Sequence, residues 1–453
     1  MGVKKRGRKK RIFGIIVAII AVVAIGFTMY LRGPGPTDFA GGQKVALSDY
    51  HDANPTSVPA SLKVADAIQR GEYLTRAADC MVCHTARGGE QYAGGFVFTL
   101  PFGTIYSTNI TPDKETGIGN YSDQDFLAAM HLGVRKDGAR LYPAMPFASY
   151  TYMTDEDALA IKAYLFSLAP VHAPARENNL KFPFNQRWLL GAWSELFNAD
   201  TRFKPDSGKD AEWNRGAYLS EALAHCGECH TPRNIAFALD NRKKFAGAET
   251  GGWRAYNISA DPDSGVAKWS DDELVAYLKS GHAQGHGTAS GPMGEAVAES
   301  FSRMAPEDVK AIVTYVRSVP AAKSSDLPAT LAPPAPASHK EGIAAANARG
   351  KQMFEGACAS CHSWTGVSEL SPFATLTGSR AINDPSGMNV AQMIISGSGE
   401  GSFKGAPNMP AFGDSYSNAE IADVVNYVTA RFGSQPSSLA EKDIADLRRQ
   451  AAQ

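Results

Sequence analysis

Three copies of the pentapeptide Cys-x-x-Cys-His stand out in this chain of 453 residues. Two thiols three positions apart can reach the two vinyl groups on one edge of a porphyrin, and the adjacent imidazole can bind its iron. The composition counts six cysteines, and all six belong to these motifs. The motif residues are Cys80, Cys83 and His84; Cys226, Cys229 and His230; and Cys358, Cys361 and His362. The sequence therefore predicts three covalently bound haem c groups.

The cysteine pairs could instead belong to a zinc site or to a redox dithiol. A zinc site built from two pairs needs them close together in sequence, whereas these pairs lie more than a hundred residues apart. A redox dithiol has no need of a following histidine, yet a histidine follows all three pairs. We therefore interpret the cysteines as porphyrin attachment points and the three histidines as iron ligands.

Each motif lies in a unit with the same helical pattern and with no strand-like alternation of note. An Arg-Gly pair comes shortly before each motif, and glycine there would let another backbone approach closely. Each unit ends in an amphipathic segment that opens with a capping residue or proline, which predicts helices over 154–165, 305–316 and 417–428. Crossed first and last helices around a haem resemble the class I cytochrome c domain. Together with the threefold repeat, this resemblance implies a mainly α fold with three such domains in series, and the apolar run described below places one N-terminal transmembrane helix before them.

A haem iron that carries electrons needs a sixth ligand, and methionine sulfur suits that role because it stabilises ferrous iron. Each unit offers one methionine beside proline or glycine, a setting that is unusual for a core residue. These candidates, each expected in a loop before the last helix, are Met145, Met293 and Met409. Met304 is expected in the core instead, and His282 and His286 are rival ligands for the second iron.

Two polar loops recur in the first and second units, at 107–112 and 255–259. The polar side chains of these loops, Asn109 and Asn257 among them, could hydrogen-bond a haem propionate, or the loops could be Asx turns. The sequence leaves both interpretations open. His131 and His172 are expected to be surface or structural residues.

Residues 12–31 form an apolar, uncharged run that is long enough for one helix to span a bilayer. Seven basic residues lie among the eleven before it and favour a cytoplasmic N-terminus. A cleaved signal peptide is the alternative, although the run is long and no small-x-small site follows it. Both interpretations place the haem units in the periplasm, and the uncleaved anchor holds them at the bacterial inner membrane.

The chain has a formal net charge of −1, and its first eleven residues carry seven positive charges, so the remainder is −8 by subtraction. A mildly acidic body argues against binding to nucleic acid. The repeats and the composition divide the chain as follows: 1–35 basic tip and anchor, 60–170 first domain, 171–213 connector, 214–320 second domain, 321–340 Pro/Ala linker, 341–433 third domain and 434–453 polar tail.

The chain resembles the membrane-bound triheme cytochrome c subunits of bacterial periplasmic dehydrogenases, such as those of alcohol, gluconate, sorbitol and aldehyde dehydrogenases and nicotinate-type hydroxylases. The resemblance covers roughly residues 65–430 and rests on the segments Leu74–Thr85, Tyr106–Thr111, Tyr142–Tyr150, Phe182–Arg187 with Trp193, and Gly291–Val297. It implies a non-catalytic electron-transfer subunit whose haems receive electrons from a catalytic dehydrogenase subunit of the flavin, pyrroloquinoline quinone or molybdenum type. Ubiquinone or a downstream oxidase would accept them. Family members often carry a cleavable signal, whereas this chain is expected to keep its anchor.

Two other classes of protein stay open. One is a cytochrome subunit of a terminal oxidase complex, and the other is a self-contained haem enzyme of the peroxidase or thiosulfate dehydrogenase type, which needs an iron with a displaceable ligand. The connector holds seven large apolar residues that could pack the domains together or form a docking face for a dehydrogenase or a quinone. They are Phe182, Phe184, Trp188, Leu189, Leu190, Trp193 and Phe197.

Overall fold

The computed structural model describes residues 3–62, 66–324, 347–398, 403 and 406–451, so the predicted linker lies outside the described residues from 325 onward. The described chain is mainly helical, as the sequence predicts. Its α-helices, numbered α1 to α18 in chain order, are Val3–Arg32, Ala67–Ala77, Cys80–Cys83, Asp123–Leu127, Phe147–Tyr150, Asp155–Ser167, Leu189–Phe197, Ala211–Tyr218, Gly227–His230, Asp271–Ser280, Gly291–Glu299, Pro306–Ser318, Ala348–Met353, Ala359–His362, Arg380–Asn383, Met388–Ser396, Asn418–Phe432 and Glu441–Ala451.

The segment Lys10–Arg32 of α1 is, within the described residues, the one helix long and apolar enough to cross a membrane. Its 23 residues rise about 1.5 Å each and so span roughly 34 Å, slightly more than the hydrocarbon core of a bilayer. The apolar side chains of this helix are exposed rather than packed on the rest of the protein.

In each of three units the first helix crosses the last helix at the glycine of the Arg-Gly pair. The crossing pairs are α2 with α6, α8 with α12 and α13 with α17. A Cβ added to the glycine would collide with a backbone carbonyl of the last helix, and its next neighbour there would be a tyrosine. The glycine, carbonyl and tyrosine residues are Gly71, Ala160 and Tyr164; Gly216, Ala311 and Tyr315; and Gly350, Asp423 and Tyr427. Only hydrogen fits between the helices, which confirms the predicted close approach.

The last helices also begin as predicted. The Thr154 hydroxyl accepts a 3.2 Å hydrogen bond from the backbone N–H of Asp157, and Ser417 forms a reciprocal capping box with Glu420. Pro306 occupies the first turn of α12, where the missing N–H costs no helical hydrogen bond.

Short strands accompany the helices, whereas the sequence pattern predicts none. Two to four residues are too few to show an alternation of polar and apolar side chains. The strands β1 to β7 are Val97–Leu100, Gly103–Tyr106, Asn179–Leu180, Ala248–Thr250, Trp253–Ala255, His282–Ala283 and Gly287–Thr288. They form antiparallel ribbons in which β2 pairs with β1 and β3, β4 with β5, and β6 with β7.

Two hydrophobic cores stabilise the described residues. One core runs through both the first and the second unit, from Tyr73 to Val319, so these units pack as one body. The other core belongs to the third unit and runs from Phe354 to Leu447. The first two units therefore share one core, whereas the third unit has a core of its own.

The described part of the predicted polar tail, residues 434–451, packs on the third unit. Its helix α18 buries Ile444 and Leu447 completely or almost completely against that core. Two apolar residues at helical spacing are enough to fix the helix, although its other residues are mostly polar.

The chain between the anchor and the first unit crosses over to the second unit. Val45 donates its backbone N–H to the Pro205 carbonyl at 3.0 Å, and Phe39 packs edge-on against Trp213 with ring centres 6.3 Å apart. Tyr50 donates a hydrogen bond of 2.9 Å to the Lys209 carbonyl. No sequence repeat covers these residues, so the sequence pattern does not predict this crossing.

Candidate haem sites

Each Cys-x-x-Cys-His motif forms a single helical turn. Helix α3 ends just before His84, whereas Cys226 and Cys358 come just before α9 and α14, which hold the rest of their motifs. One helical turn places residues i and i+3 on the same face, so both thiols of a motif can reach one edge of a flat ligand. None of the six cysteines forms a disulfide. Burial raises the pKa of Cys80 and of Cys226 to about 12.

The ring of each motif histidine is fixed by a backbone carbonyl. Nδ1 of His84 donates to the Thr108 carbonyl at 2.7 Å, and Nδ1 of His230 and of His362 donate at 2.6 Å to the carbonyls of Tyr256 and Ala374. A carbonyl can only accept, so Nδ1 carries the proton and Nε2 is left with the lone pair that a metal needs. Burial lowers the pKa of all three histidines and favours this neutral form.

The first unit contains a cavity of about 460 Å³ that is lined both by motif residues and by a candidate sixth ligand. Cys83, His84 and Met145 all line it. Its lining mixes apolar and polar side chains, and it includes one carboxylate, Glu177, and three arginines: Arg135, Arg176 and Arg187. A porphyrin has an apolar body and two propionate carboxylates, so the lining of the cavity fits this group.

The three candidate methionines lie in different local structures. Met145 lies in a tight turn, where its N–H donates to the Tyr142 carbonyl at 3.0 Å. Met409 is held by Ser398, which accepts from its N–H at 2.8 Å. Met293, expected in a loop, lies instead in the first turn of α11, because Pro292 favours the start of a helix. Met304 is buried in the core, as predicted.

The rival histidines have partners of their own. Nδ1 of His282 lies 3.0 Å from the Thr288 hydroxyl, and His286 stacks on Trp269 with ring centres 3.8 Å apart. His131 is a structural residue, since only 1% of it is exposed. His172 lies at the surface, near two carboxylates.

The two repeated asparagines form Asx turns. Oδ1 of Asn109 accepts from the N–H of Thr111 at 2.9 Å, and its amide donates to the Val171 carbonyl at 2.7 Å. Asn257 makes the same contacts in the second unit. The hydrogen bonds of both asparagine side chains are fully used in the turns, so the turn interpretation holds for them. Ser107 and Thr108 of the first loop line the cavity beside His84, so the propionate interpretation stays open for other polar side chains of the loop. The loops matter through the preceding residues, Thr108 and Tyr256, whose carbonyls fix the motif histidines; the repeat of the loop was the signal for this role.

Within the part of the chain that the structure describes, no three His, Cys, Asp or Glu side chains come close enough together to hold a metal ion.

Units that are neighbours in sequence contact each other in the structure near their candidate sites. Between the first and the second unit, Ser149 donates to Glu228 at 3.0 Å, and Tyr150 packs edge-on against His225 next to the second motif. Between the second and the third unit, the Thr288 hydroxyl donates to the Phe373 carbonyl at 3.0 Å. Neighbouring sites therefore meet across packed interfaces.

Some apolar residues of the connector are packed between units, and others are exposed to solvent. Trp193 packs against Phe147 at a centre distance of 5.9 Å, and its indole N–H donates to the Ala236 carbonyl at 2.8 Å. This residue packs the connector between units, as one interpretation predicts. Phe182 and Trp188 point into solvent, with 79% and 71% of each residue exposed.

Each unit combines crossed helices, a Cys-x-x-Cys-His turn and a carbonyl-fixed histidine, and in the first unit a cavity is lined by His84 and Met145. These features define a c-type cytochrome built from repeated units. The sequence model of the cytochrome c family matches residues 68–169 and 347–431. The chain is 39% identical over 418 residues to the fructose dehydrogenase cytochrome subunit of Gluconobacter japonicus, covering 87% of this chain and 85% of the relative.

Other relatives carry similar names. The gluconate 2-dehydrogenase cytochrome c subunit of Pantoea cypripedii is 37% identical over 404 residues, or 84% of this chain and 89% of the relative. The cytochrome c subunit of alcohol dehydrogenase (quinone) from Gluconobacter oxydans is 35% identical over 395 residues, or 84% and 82%. The chain belongs to the family of cytochrome c subunits of bacterial dehydrogenases, and it is an electron-transfer subunit.

Proposed function

We propose that the chain carries three haem c groups and passes electrons from a periplasmic dehydrogenase to ubiquinone. The observation that carries the proposal is the threefold repetition of one arrangement, a Cys-x-x-Cys-His turn whose histidine donates Nδ1–H to a backbone carbonyl. The bound group supplies a one-electron couple. The chain supplies its attachment, its axial ligands and its shielding from water.

Each site has one proposed pair of iron ligands. These pairs are His84 with Met145, His230 with Met293, and His362 with Met409. The shared cavity of His84 and Met145 supports the first pair most directly. The Cys residues of each motif would hold the porphyrin edge, and Arg176 and Arg187 of the first cavity offer positive charge to its propionates.

The proposed partner is a catalytic subunit with flavin, pyrroloquinoline quinone or molybdenum. The names of the relatives support a dehydrogenase partner, and the word quinone in one of them supports a quinone acceptor. The proposed location is the inner membrane with the haem units in the periplasm, supported by the basic residues before the apolar part of α1 and by its length.

The test begins with the full chain purified from membranes by a C-terminal tag. A pyridine haemochrome assay should give three c-type haems per chain, and a catalytic dehydrogenase subunit should copurify. Its substrate should then reduce all three haems and, in the same preparation, a soluble ubiquinone analogue. Fewer than three haems contradicts the haem count. Copurifying oxidase subunits, or a high-spin haem that turns over substrate without a partner, contradicts the proposed role.

A further inference from the structure

A group of large apolar side chains is exposed on the connector and on a loop of the second unit. We call it the apolar collar; its members are Phe182, Phe184, Trp188, Leu189, Leu196, Ile235 and Phe237. Ile235 is 79% exposed, as much as Phe182. Soluble proteins rarely expose a contiguous apolar patch of this kind unless it meets a partner or a membrane.

Ring contacts join the two parts of the collar. Phe184 stacks on Phe102 with ring centres 4.0 Å apart, and Phe237 packs edge-on against both rings at 5.5 and 6.0 Å. The hydrogen bond from Trp193 to Ala236 ties the connector helix α7 to the same loop. The collar is therefore one surface on two fixed segments.

The C-terminal end of α1 is bound to the same two segments. The Arg32 guanidinium donates at 2.7 Å to the carbonyls of Glu195 and Leu196 on α7. On the loop side, the Asn234 amide donates to the Leu31 carbonyl at 2.9 Å, and the Arg242 guanidinium lies 4.0 Å above the Tyr30 ring. The hydrogen bonds of Arg32 and Asn234 thus hold the end of α1 next to the apolar collar, since Leu196 is a member and Ile235 directly follows Asn234.

The position of the Arg32 end of α1 indicates that the membrane surface lies against the collar. If α1 crosses the bilayer, its end at Arg32 lies at the membrane surface, and any surface bound beside that end lies there too. Tryptophan and phenylalanine favour this interfacial depth. Two exposed lysines in the same segments, Lys181 and Lys243, suit anionic lipid headgroups.

We propose that the apolar collar inserts into the interfacial layer of the bilayer that α1 crosses. The inference rests on the proposed membrane anchor. It also orients the cytochrome, because Tyr142 and Arg187 line the first haem cavity, and Tyr142 donates a 3.0 Å hydrogen bond to the Phe184 carbonyl of the collar. The first site is then the one beside the lipid phase, where a quinone dissolves.

The test uses the full, haem-loaded chain in liposomes of phosphatidylcholine and phosphatidylglycerol without quinone or dehydrogenase. Haem attachment occupies the native thiols, so an introduced cysteine takes a nitroxide label, and the wild-type chain serves as the blank. The variants are Trp188→Cys and Ile235→Cys, with Leu370→Cys as the control, since Leu370 is 70% exposed in the third unit. Spin relaxation by oxygen reports lipid, and relaxation by a soluble nickel chelate reports water.

At 188 and 235 we expect relaxation by oxygen to exceed that at 370 several-fold, and relaxation by nickel to fall by a similar factor. Labels at 188 and 235 that are as accessible to nickel as the label at 370, on a chain that floats with the liposomes, overturn the collar proposal alone. A chain that does not float overturns the anchor and the collar together. Protection from nickel that appears only when a purified dehydrogenase is added assigns the surface to that partner and also overturns the proposal.

Discussion

The Tyr73 hydroxyl of the first unit donates a 2.6 Å hydrogen bond to Asp308 at the start of the second unit's last helix. The reverse contact exists as well, since Tyr218 of the second unit donates at 2.5 Å to Asp157 of the first. Each aspartate is almost completely buried and also binds an arginine of its own unit. The first two units are thus joined by a reciprocal pair of contacts that follows from their sequence repeat.

Replacing Asp308 with alanine should lower the free energy of unfolding of the joined units by about 3–5 kcal/mol, because it leaves the Arg215 guanidinium without its carboxylate partner. Tyr73→Phe keeps that ion pair and should cost only about 1–3 kcal/mol. Chemical denaturation of the haem-loaded protein measures both values. Asp423→Ala is the matched control, since it removes an ion pair that is largely exposed, with Arg349 of the third unit, and should cost under about 1 kcal/mol. Equal losses at Asp308 and Asp423 would contradict this account.

The helix crossings predict a second set of effects. Gly71→Ala forces a Cβ against the Ala160 carbonyl, so it should destabilise the first unit by about 1–3 kcal/mol or prevent its folding. Gly191→Ala is the control: it lies in helix α7 with no atom within 4 Å of the added methyl group, and alanine favours helix by up to about 1 kcal/mol. Thermal unfolding should move down for the first variant and stay level or rise for the second. A tolerated Gly71→Ala would show that the helices can separate.

These contacts show where sequence reasoning succeeds and where it stops. The Arg-Gly pairs, the capped last helices and the haem turns are local patterns, so each could be predicted from a few neighbouring residues. The pairing of Tyr73 with Asp308 joins residues 235 positions apart, and no local pattern encodes it. The third unit has Gln352 where the other first helices have Tyr73 and Tyr218, and Glu420 where the last helices have Asp157 and Asp308. It lacks both halves of the contact, in keeping with its separate core.

His131 predicts a pH dependence of stability. Burial is the main cause that lowers its pKa from 6.5 to about 4, and the nearby Arg202 adds to this effect. As the pH falls, the unfolded chain therefore protonates His131 near pH 6.5, whereas the folded chain protonates it only near pH 4. The contribution of neutral His131 to the free energy of unfolding is complete above pH 6.5 and is lost as the pH falls from there towards 4. At pH 5 the loss is about 2 kcal/mol.

His131→Asn should remove this part of the pH dependence. The difference in unfolding free energy between the variant and the wild type should change by about 2 kcal/mol in favour of the variant between pH 7 and pH 5. Its value at pH 7 gives the cost of the substitution itself. A difference that stays constant over this range would mean that the folded protein protonates His131 as readily as the unfolded chain.

The proposed axial ligands predict a spectroscopic change in the third unit. Met409→Ala should remove the sulfur from the third iron, lower its midpoint potential and let an external ligand such as carbon monoxide bind. Met388→Ala is the control, because Met388 packs on the same core without being a proposed ligand. Redox titration with optical detection follows both variants. An unchanged potential and no new ligand binding at Met409→Ala would contradict the assignment.

Arg380 links the third unit to the second haem site. Its guanidinium lies 4.9 Å from the centre of the Tyr256 ring and donates a 3.2 Å hydrogen bond to the Asn257 carbonyl, while the Tyr256 carbonyl accepts from His230. A fixed positive charge there favours the reduced, less positive iron. Arg380→Gln should therefore lower the midpoint potential of the second haem by on the order of 1 kcal/mol, roughly 40–60 mV for one electron.

The control for Arg380 is Arg349→Gln, which removes a charge from the same unit at an exposed position paired with Asp423. Arg380→Lys should keep most of the potential, since it keeps the charge. Redox titration of the three haems, with the second assigned through a Met293 variant, separates the effects. A shift confined to the third haem, or equal shifts with Arg380→Gln and Arg349→Gln, would show that Arg380 acts on the fold of its own unit rather than on the neighbouring site.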